Sequence, residues 1–216
     1  MATVAFYDPA IKASLDTDEP EAILDKVLTW NDRTLEYRHD YIQHLFPLPE
    51  RSPINPDAPI ITKEVRDAFL QRPELRQNLQ RAFGRMCSFY GLEMQQTGGV
   101  VRGPEFDANA EETWLTSRDH NHLRITRIVR CMRILGLESE ARKFAVALLD
   151  ADTRNTVSTT SATFWCRAAL WSLERPPSYP RESAVRWLVG EDTWAEEETS
   201  EKAALDRHVA RRGLDV

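Results

Sequence analysis

The stretch HNHLRITRIVRCMRILGL, residues 120–137, has the apolar periodicity of an amphipathic helix that ends at Gly136. A second stretch, RHDYIQHLFPL, residues 38–48, also places histidine, arginine and amide side chains among apolar ones. Polar groups are costly to bury unless they are paired or contact a ligand. The two stretches therefore predict helices that enclose an internal polar pocket.

A rotation of about 100° per residue divides the side chains of the first helix, predicted near residues 119–135. One arc is apolar and contains Ile125, Ile128, Met132 and Leu135. The opposite face, predicted to contact solvent, contains His122, Thr126, Arg130 and Arg133. Four polar residues are predicted to face inward: His120, Asn121, Arg124 and Arg127. Because an unpaired buried guanidinium is costly, Arg124 and Arg127 should pair with internal carboxylates or line a wet cavity.

The second stretch is predicted to lie in a helix that begins at Asn31 or Asp32 and ends before Pro47. On this helix Leu35, Ile42 and Phe46 form an apolar stripe, which His39 and Gln43 adjoin and from which His44 points away. These polar side chains either hold helices together through hydrogen bonds or line a ligand pocket. A pocket with two guanidinium groups favours a carboxylate, a phosphate or a polarised carbonyl as ligand.

The whole chain predicts an all-α fold, with a single multi-helix globular domain over residues 1–190 and a tail over 191–216. The domain contains a proline-rich connector at 47–59 and an irregular loop near 91–112. Further helices are predicted from Pro20 onward and over 62–71, 73–90, 138–150, 157–174 and 181–189. The tail is acidic at Glu196–Glu198 and then becomes compatible with a helix.

An aromatic stripe on the helix predicted near 157–174 contains Phe164, Trp165 and Trp171. Such a stripe is more typical of a core than of a ligand wall, but it can also form the back of a pocket. The predicted substrate-binding residues are therefore Tyr41, Gln43, Asn121, Phe164, Trp165 and Trp171. The predicted catalytic residues are His39, His120, Arg124 and Arg127.

Composition excludes several functional classes. The 216-residue chain has a formal charge of −6 and a pI near 5.5, which argue against electrostatic binding of nucleic acid. Three scattered cysteines, the lack of a signal peptide and the lack of a membrane span predict a cytoplasmic location, with the nucleus as an alternative. His120 and His122 diverge by about 200° on a helix, so they cannot share a metal ion, and no metal or other cofactor is predicted.

Four motifs occur in the order HDYIQHLFPL, INPDAPIITKEVRDAF, RAFGRMCSFYGLEM and HNHLRITRIVRCMRILGL. Through these motifs, from about Trp30 to Leu149, the chain resembles the conserved domain of the opioid growth factor receptor family. His44 and His122 depart from the family pattern, which has tryptophan and tyrosine at these positions. The resemblance implies binding of an enkephalin peptide and restraint of growth in association with the nucleus.

Two functions are predicted from the pocket and the resemblance. A weaker resemblance, to small stand-alone members of this family, implies a cofactor-independent cyclase or isomerase, possibly a pericyclase of Diels–Alder type. It would act on a hydrophobic small molecule with an anionic or carbonyl group, which Arg124 and Arg127 would anchor while His39 or His120 donates a proton. The alternative is a non-catalytic module that binds a peptide or a small ligand. A pure interaction scaffold, the third possibility, predicts no cavity beside these residues.

Overall fold

Eleven α-helices and a two-stranded antiparallel sheet make up the parts of the chain that the computed structural model describes, residues 2–8, 24–52, 55–96, 98–177, 184–191 and 199–216. The first helices are α1 (Ala2–Tyr7), α2 (Leu24–Leu28), α3 (Asp32–Tyr37), α4 (Ile42–Leu45), α5 (Lys63–Gln71) and α6 (Pro73–Phe89). Strands β1 (Leu92–Met94) and β2 (Val100–Arg102) follow. The remaining helices are α7 (Phe106–Thr113), α8 (Asn121–Ile134), α9 (Glu138–Ala151), α10 (Thr159–Leu170) and α11 (Ser200–Arg212), with a 3₁₀ turn at Arg186–Leu188. The predicted all-α class is confirmed.

Helix α8 lies at the centre of the fold, with α9 and α10 packed against it. All of its residues except Leu123 and Arg127 are buried. The predicted solvent face is therefore wrong, because its four residues, His122, Thr126, Arg130 and Arg133, are all buried. Helix α10 covers this face, where the Trp165 indole donates to the His122 carbonyl at 3.1 Å.

Backbone carbonyls allow α8 to bury its arginines. Arg133 donates to the carbonyls of Ala168 and Trp171, where α10 ends, and to Glu138 at 2.7 Å. Glu138 also pairs with Arg142 at 2.9 Å. Carbonyls at the C-terminus of a helix lack partners within that helix and carry partial negative charge, so a guanidinium stabilises them.

The helix predicted from Asn31 to Phe46 is in fact two helices, α3 and α4, separated by residues 38–41. Asn31 caps α3, as predicted, and accepts from the Thr34 amide at 2.9 Å. Arg38 then has an extended backbone, with φ −85° and ψ 135°. The break leaves carbonyls available to Arg124, which donates to the Leu35 carbonyl at 3.0 Å and to the Arg38 carbonyl at 2.8 Å. A distant arginine thus stabilises a break that local periodicity does not predict.

The loop predicted near 91–112 contains more structure than expected. Strands β1 and β2 pair within it, with Leu92 opposite Arg102, and α7 follows. Gly91 makes this turn possible because its φ is +76° and an added Cβ would lie 2.8 Å from the Phe106 backbone. Three-residue strands are too short to show alternation in the sequence.

Several predicted boundaries are confirmed. Thr62 caps α5 and Pro73 begins α6. The tail, predicted only as compatible with a helix, forms α11, which packs against α9 and α10. The helix start at Pro20, the first residues of the helix predicted at 181–189 and the acidic stretch Glu196–Glu198 lie outside the described residues. No helix in the described parts of the chain combines the length and apolarity needed to cross a membrane.

Candidate functional site

A groove of about 590 Å³ lies where α4 and the segment after it approach the N-terminal half of α8. Its apolar wall consists of Ile42, Leu48, Leu123, Phe164, Pro176 and Pro177. Its basic residues are His39, Arg51, His120, Arg124, Arg127 and Arg130. Among its described lining residues Glu50 is the one carboxylate, and it pairs with Arg130 at 2.7 Å. The groove therefore combines an excess of positive charge with an apolar surface.

Six of the ten predicted site residues line this groove: His39, Gln43, His120, Arg124, Arg127 and Phe164. These six residues come from three separate parts of the chain. The two stretches form two walls of the groove, and Phe164 of α10 contributes a third. The Gln43 amide, in the orientation that satisfies its neighbours, donates to the carbonyls of His39 and Asp40. It therefore supports the groove through the backbone of the break between α3 and α4.

Arg124 is buried and stabilises the wall of the groove. Its Nη1 donates to the Leu35 carbonyl and to Asn121 Oδ1, each at 3.0 Å. Its Nη2 donates to the Arg38 carbonyl at 2.8 Å and contacts His39 Nδ1 at 3.2 Å. The predicted inward orientation is confirmed, but the partners are carbonyls, an amide and an imidazole rather than carboxylates.

Two imidazoles meet at the edge of the groove. The His39 and His120 rings lie 5.5 Å apart in an edge-to-face arrangement. Because a guanidinium only donates, His39 Nδ1 accepts from Arg124, and a neutral His39 then carries its proton on Nε2. His120 is 41% exposed at its side chain and lies within 3.3 Å of carboxylate oxygens of both Glu36 and Asp119.

Arg127 and Arg130 continue the basic surface towards the proline-rich segment. Arg127 is half-buried, and its Nη1 donates to the Phe46 carbonyl at 3.1 Å, at the end of α4. Arg130 is buried and donates to the carbonyls of Leu173 and Arg175 as well as to Glu50. Burial lowers the pKa of the Arg130 guanidinium, and the Glu50 carboxylate opposes that shift.

The other four predicted site residues do not line the groove. Tyr41 is fully buried next to Met86, and burial raises the pKa of its hydroxyl to about 12. Asn121 is fully buried and donates to Glu36 and to the Thr113 carbonyl. Trp165 lies in the core, and Trp171 stacks with Arg175, whose guanidinium carbon is 3.9 Å from the ring centroid. An apolar stripe cannot show which of its members reach a cavity.

Sequence reasoning missed the loop residues of the groove: Glu50, Arg51, Ser52, Pro176 and Pro177. The segment at 47–59 was predicted only as a connector, and residues 176–177 only follow a helix. Their one sequence signal is the density of proline, which indicates an ordered extended segment but not what it contacts.

The described residues contain no group of three or more histidine, cysteine or acidic side chains placed to hold a metal ion. His120 and His122 also lie in different surroundings. His120 is at the edge of the groove, whereas His122 is buried between Trp114 and Ser161.

Comparison with known proteins identifies several relatives. The chain is 41% identical over 144 residues to the opioid growth factor receptor of Mus musculus, covering 64% of this chain and 22% of that protein. It is 38% identical over 120 residues to the receptor of Homo sapiens, covering 54% and 17%. It is 33% identical over 144 residues to opioid growth factor receptor-like protein 1 of Xenopus tropicalis, covering 64% and 27%. The chain thus spans about a sixth to a quarter of the length of these relatives. No solved structure matches it.

These relatives correct the leading functional prediction. They are named as receptors or receptor-like proteins, which fits a binding domain. The prediction of a cyclase or isomerase, including the pericyclase form, is therefore wrong, and the relatives favour its alternative.

The resemblance read from the four motifs is confirmed independently by a family model. The model, described as "Opioid growth factor receptor (OGFr) conserved region", matches residues 1–164, about three quarters of the chain. This match includes α8 and most of the groove, although it ends before Pro176 and Pro177. The chain belongs to the opioid growth factor receptor conserved-region family.

Proposed function

We propose that the chain is a binding module whose groove takes, without altering it, a peptide with a free carboxylate and at least one apolar side chain. The observation that carries the proposal is the combination of basic and apolar walls in one groove of about 590 Å³. A cavity of this size is within the range of small-ligand sites. The names of the relatives point to opioid peptides as the first ligands to test.

The basic residues support an anionic ligand in different ways. Arg124 and Arg130 have several protein acceptors each, so they contribute charge and a fixed wall. Arg127 is only partly buried on the same wall, so a carboxylate in the groove can contact its guanidinium in addition to the Phe46 carbonyl. His39, with its Nδ1 held by Arg124, offers an Nε2–H donor beside it.

The apolar wall supports a ligand with hydrophobic side chains. Leu123 is 64% exposed although it lies in the central helix, and Phe164 is only partly buried. Burial of such surface by a ligand is favourable by about 25 cal/mol per Å². The apolar wall supplies affinity, and the arginines orient the ligand.

Calorimetric titration tests the proposal. We expect an enkephalin peptide with a free C-terminal carboxylate to bind, and its C-terminal amide to bind about tenfold more weakly because one charge-assisted contact is lost. Arg127→Gln should produce a similar loss for the acid form and little for the amide. Arg207→Gln, at an exposed arginine of α11, is the matched control and should change nothing.

Each of the following results would contradict the proposal. If the acid and the amide bind equally, or if Arg127→Gln does not affect binding, the groove is excluded as the binding site. If the peptide does not bind, it is excluded as the ligand. Mass spectrometry of the recovered peptide should show it unchanged, whereas a chemically altered peptide would contradict binding without catalysis in the groove.

A further inference from the structure

A second cavity, of about 300 Å³, lies between the N-terminal turns of α8 and α10. It shares Leu123, Thr126 and Phe164 with the groove but is otherwise formed by different residues. It contains the hydroxyl groups of Ser158, Thr160 and Ser161 beside the imidazole of His122. Nothing in the proposed peptide site uses this group of side chains.

The protonation of His122 follows from its two partners. One ring nitrogen, Nε2, lies 2.8 Å from the Trp114 carbonyl oxygen, which can only accept, so Nε2 carries the proton. The neutral ring then has a bare Nδ1, which lies 2.8 Å from Ser161 Oγ. Nδ1 must accept from that hydroxyl. His122 is only 4% exposed, so the Trp114 contact holds the ring in this orientation.

The neighbouring serine directs the Ser161 proton to the same nitrogen. Ser158 Oγ caps α10 by accepting from the Ser161 amide at 3.2 Å, and it donates its own proton to Ser161 Oγ at 3.0 Å. Ser161 Oγ thus accepts one hydrogen bond and donates one to His122. This is the arrangement of a nucleophile, a base and a group that orients the base.

We propose that Ser161 is a nucleophilic serine that accepts an acyl group from a small carboxylic ester, with His122 as its general base. Ser161 Oγ forms a bond to the ester carbonyl carbon while its proton passes to His122 Nδ1. The bond from that carbon to the alcohol oxygen then breaks, and His122 returns the proton to the departing alcohol. Attack of water on the acyl-serine, with His122 again as base, releases the carboxylic acid and restores the serine.

The surroundings of Ser161 fit this chemistry. Thr159 and Thr160 occupy the first two positions of α10, where backbone amides have no acceptor in the helix and can stabilise a developing oxyanion. Arg118 and Asp119 line the same cavity, which therefore contains one side chain of each charge. Leu123 and Phe164 provide an apolar wall for a short acyl chain.

Covalent labelling tests this site directly. The folded full chain is incubated with a fluorophosphonate, which reacts with activated serines, and the adduct is mapped by peptide mass spectrometry. We expect a single adduct on Ser161, none after Ser161→Ala, and release of p-nitrophenol from p-nitrophenyl acetate that is lost in the same variant. Loss of the base in His122→Gln should slow labelling about 100-fold or more. Ser88→Ala, which removes an exposed hydroxyl of α6 outside this cavity, is the control and should label normally.

Absence of an adduct on Ser161 in the folded protein would overturn the proposal, as would labelling of His122→Gln at the wild-type rate. If His122→Gln does not fold, the comparison of folded and urea-unfolded wild-type protein decides instead. Activation by the fold predicts labelling of Ser161 only in the folded state. Peptide binding in the groove is measured separately, so either proposal can fail without the other.

Discussion

His120 and His122 are two residues apart, yet they lie in opposite environments. His120 is at the edge of the groove, partly exposed and close to two carboxylates. His122 is buried, with one ring nitrogen on a backbone carbonyl and the other on a serine hydroxyl. The same contrast separates Arg127 from Arg133 on this helix. Residue type therefore does not define the surface of α8. The partner elements that cover each face define it.

The largest expected effect comes from the fully covered face. Glu138→Ala leaves Arg133 and Arg142 buried without their shared carboxylate. We expect the free energy of unfolding, from urea denaturation followed by circular dichroism, to fall by about 3–5 kcal/mol. Asp67→Ala, which breaks the exposed pair with Lys63, is the control and should cost at most about 0.5 kcal/mol. Equal costs would contradict the burial of Glu138 between Arg133 and Arg142.

The next effect separates two arginines of the groove wall. Arg124→Met removes the donors of several carbonyls around the break between α3 and α4, so we expect a loss of about 2–4 kcal/mol. Arg127→Met removes a bond to Phe46 from a half-exposed side chain and should cost about 1 kcal/mol. The same denaturation experiment measures both. A larger loss for Arg127 would reverse their proposed roles in structure and binding.

The two histidines should differ by a smaller amount. His122→Ala loses two hydrogen bonds and its contact with Trp165, which predicts a loss of about 2–3 kcal/mol. His120→Ala, at an exposed site, should cost about 0.5 kcal/mol or less. Thermal melting of both variants provides the measurement, and similar melting temperatures would contradict the assignment of His122 to the buried side.

The smallest expected effect concerns the cysteine thiols, which should not react at neutral pH while the chain is folded. Cys87, Cys131 and Cys166 are free and buried in α6, α8 and α10, and burial raises the pKa of all three thiols, that of Cys166 to about 12. Ellman's reagent should therefore not react with the folded chain over minutes and should detect three thiols in urea. If one thiol reacts early, its identification by mass spectrometry would show which of the helices α6, α8 and α10 opens first.

Local signals predicted much of the fold. Asn31, Thr62 and Pro73 mark helix starts because capping and the geometry of proline depend on neighbours within a few residues. The break at Arg38 and the burial of His122 were not predictable in this way. They depend on Arg124 and on α10, which lie far along the chain.

Helical periodicity likewise predicts only part of the candidate site. The inward orientation of Arg124 follows from helical periodicity, and the structure confirms it. The periodic reasoning also selected Tyr41 and Trp165, which are core residues, since a pattern reports burial and not what a side chain contacts. The Ser161 and His122 pair gave no sequence signal, because two residues 39 apart meet only when α8 and α10 pack.

The hydrogen bonds from Arg124 to the backbone of residues 35–38 make the groove wall and the docking of α8 on α3 cooperative. These contacts join parts of the chain 86 to 89 residues apart, so the basic wall of the groove exists only while α8 is docked on α3. A ligand that bridges the two walls would bind the docked state alone, and each tenfold excess over its Kd would add about 1.4 kcal/mol against local opening. Slower hydrogen exchange of the amides at residues 38–45 on ligand addition would report this coupling, even where the ligand makes no contact with them.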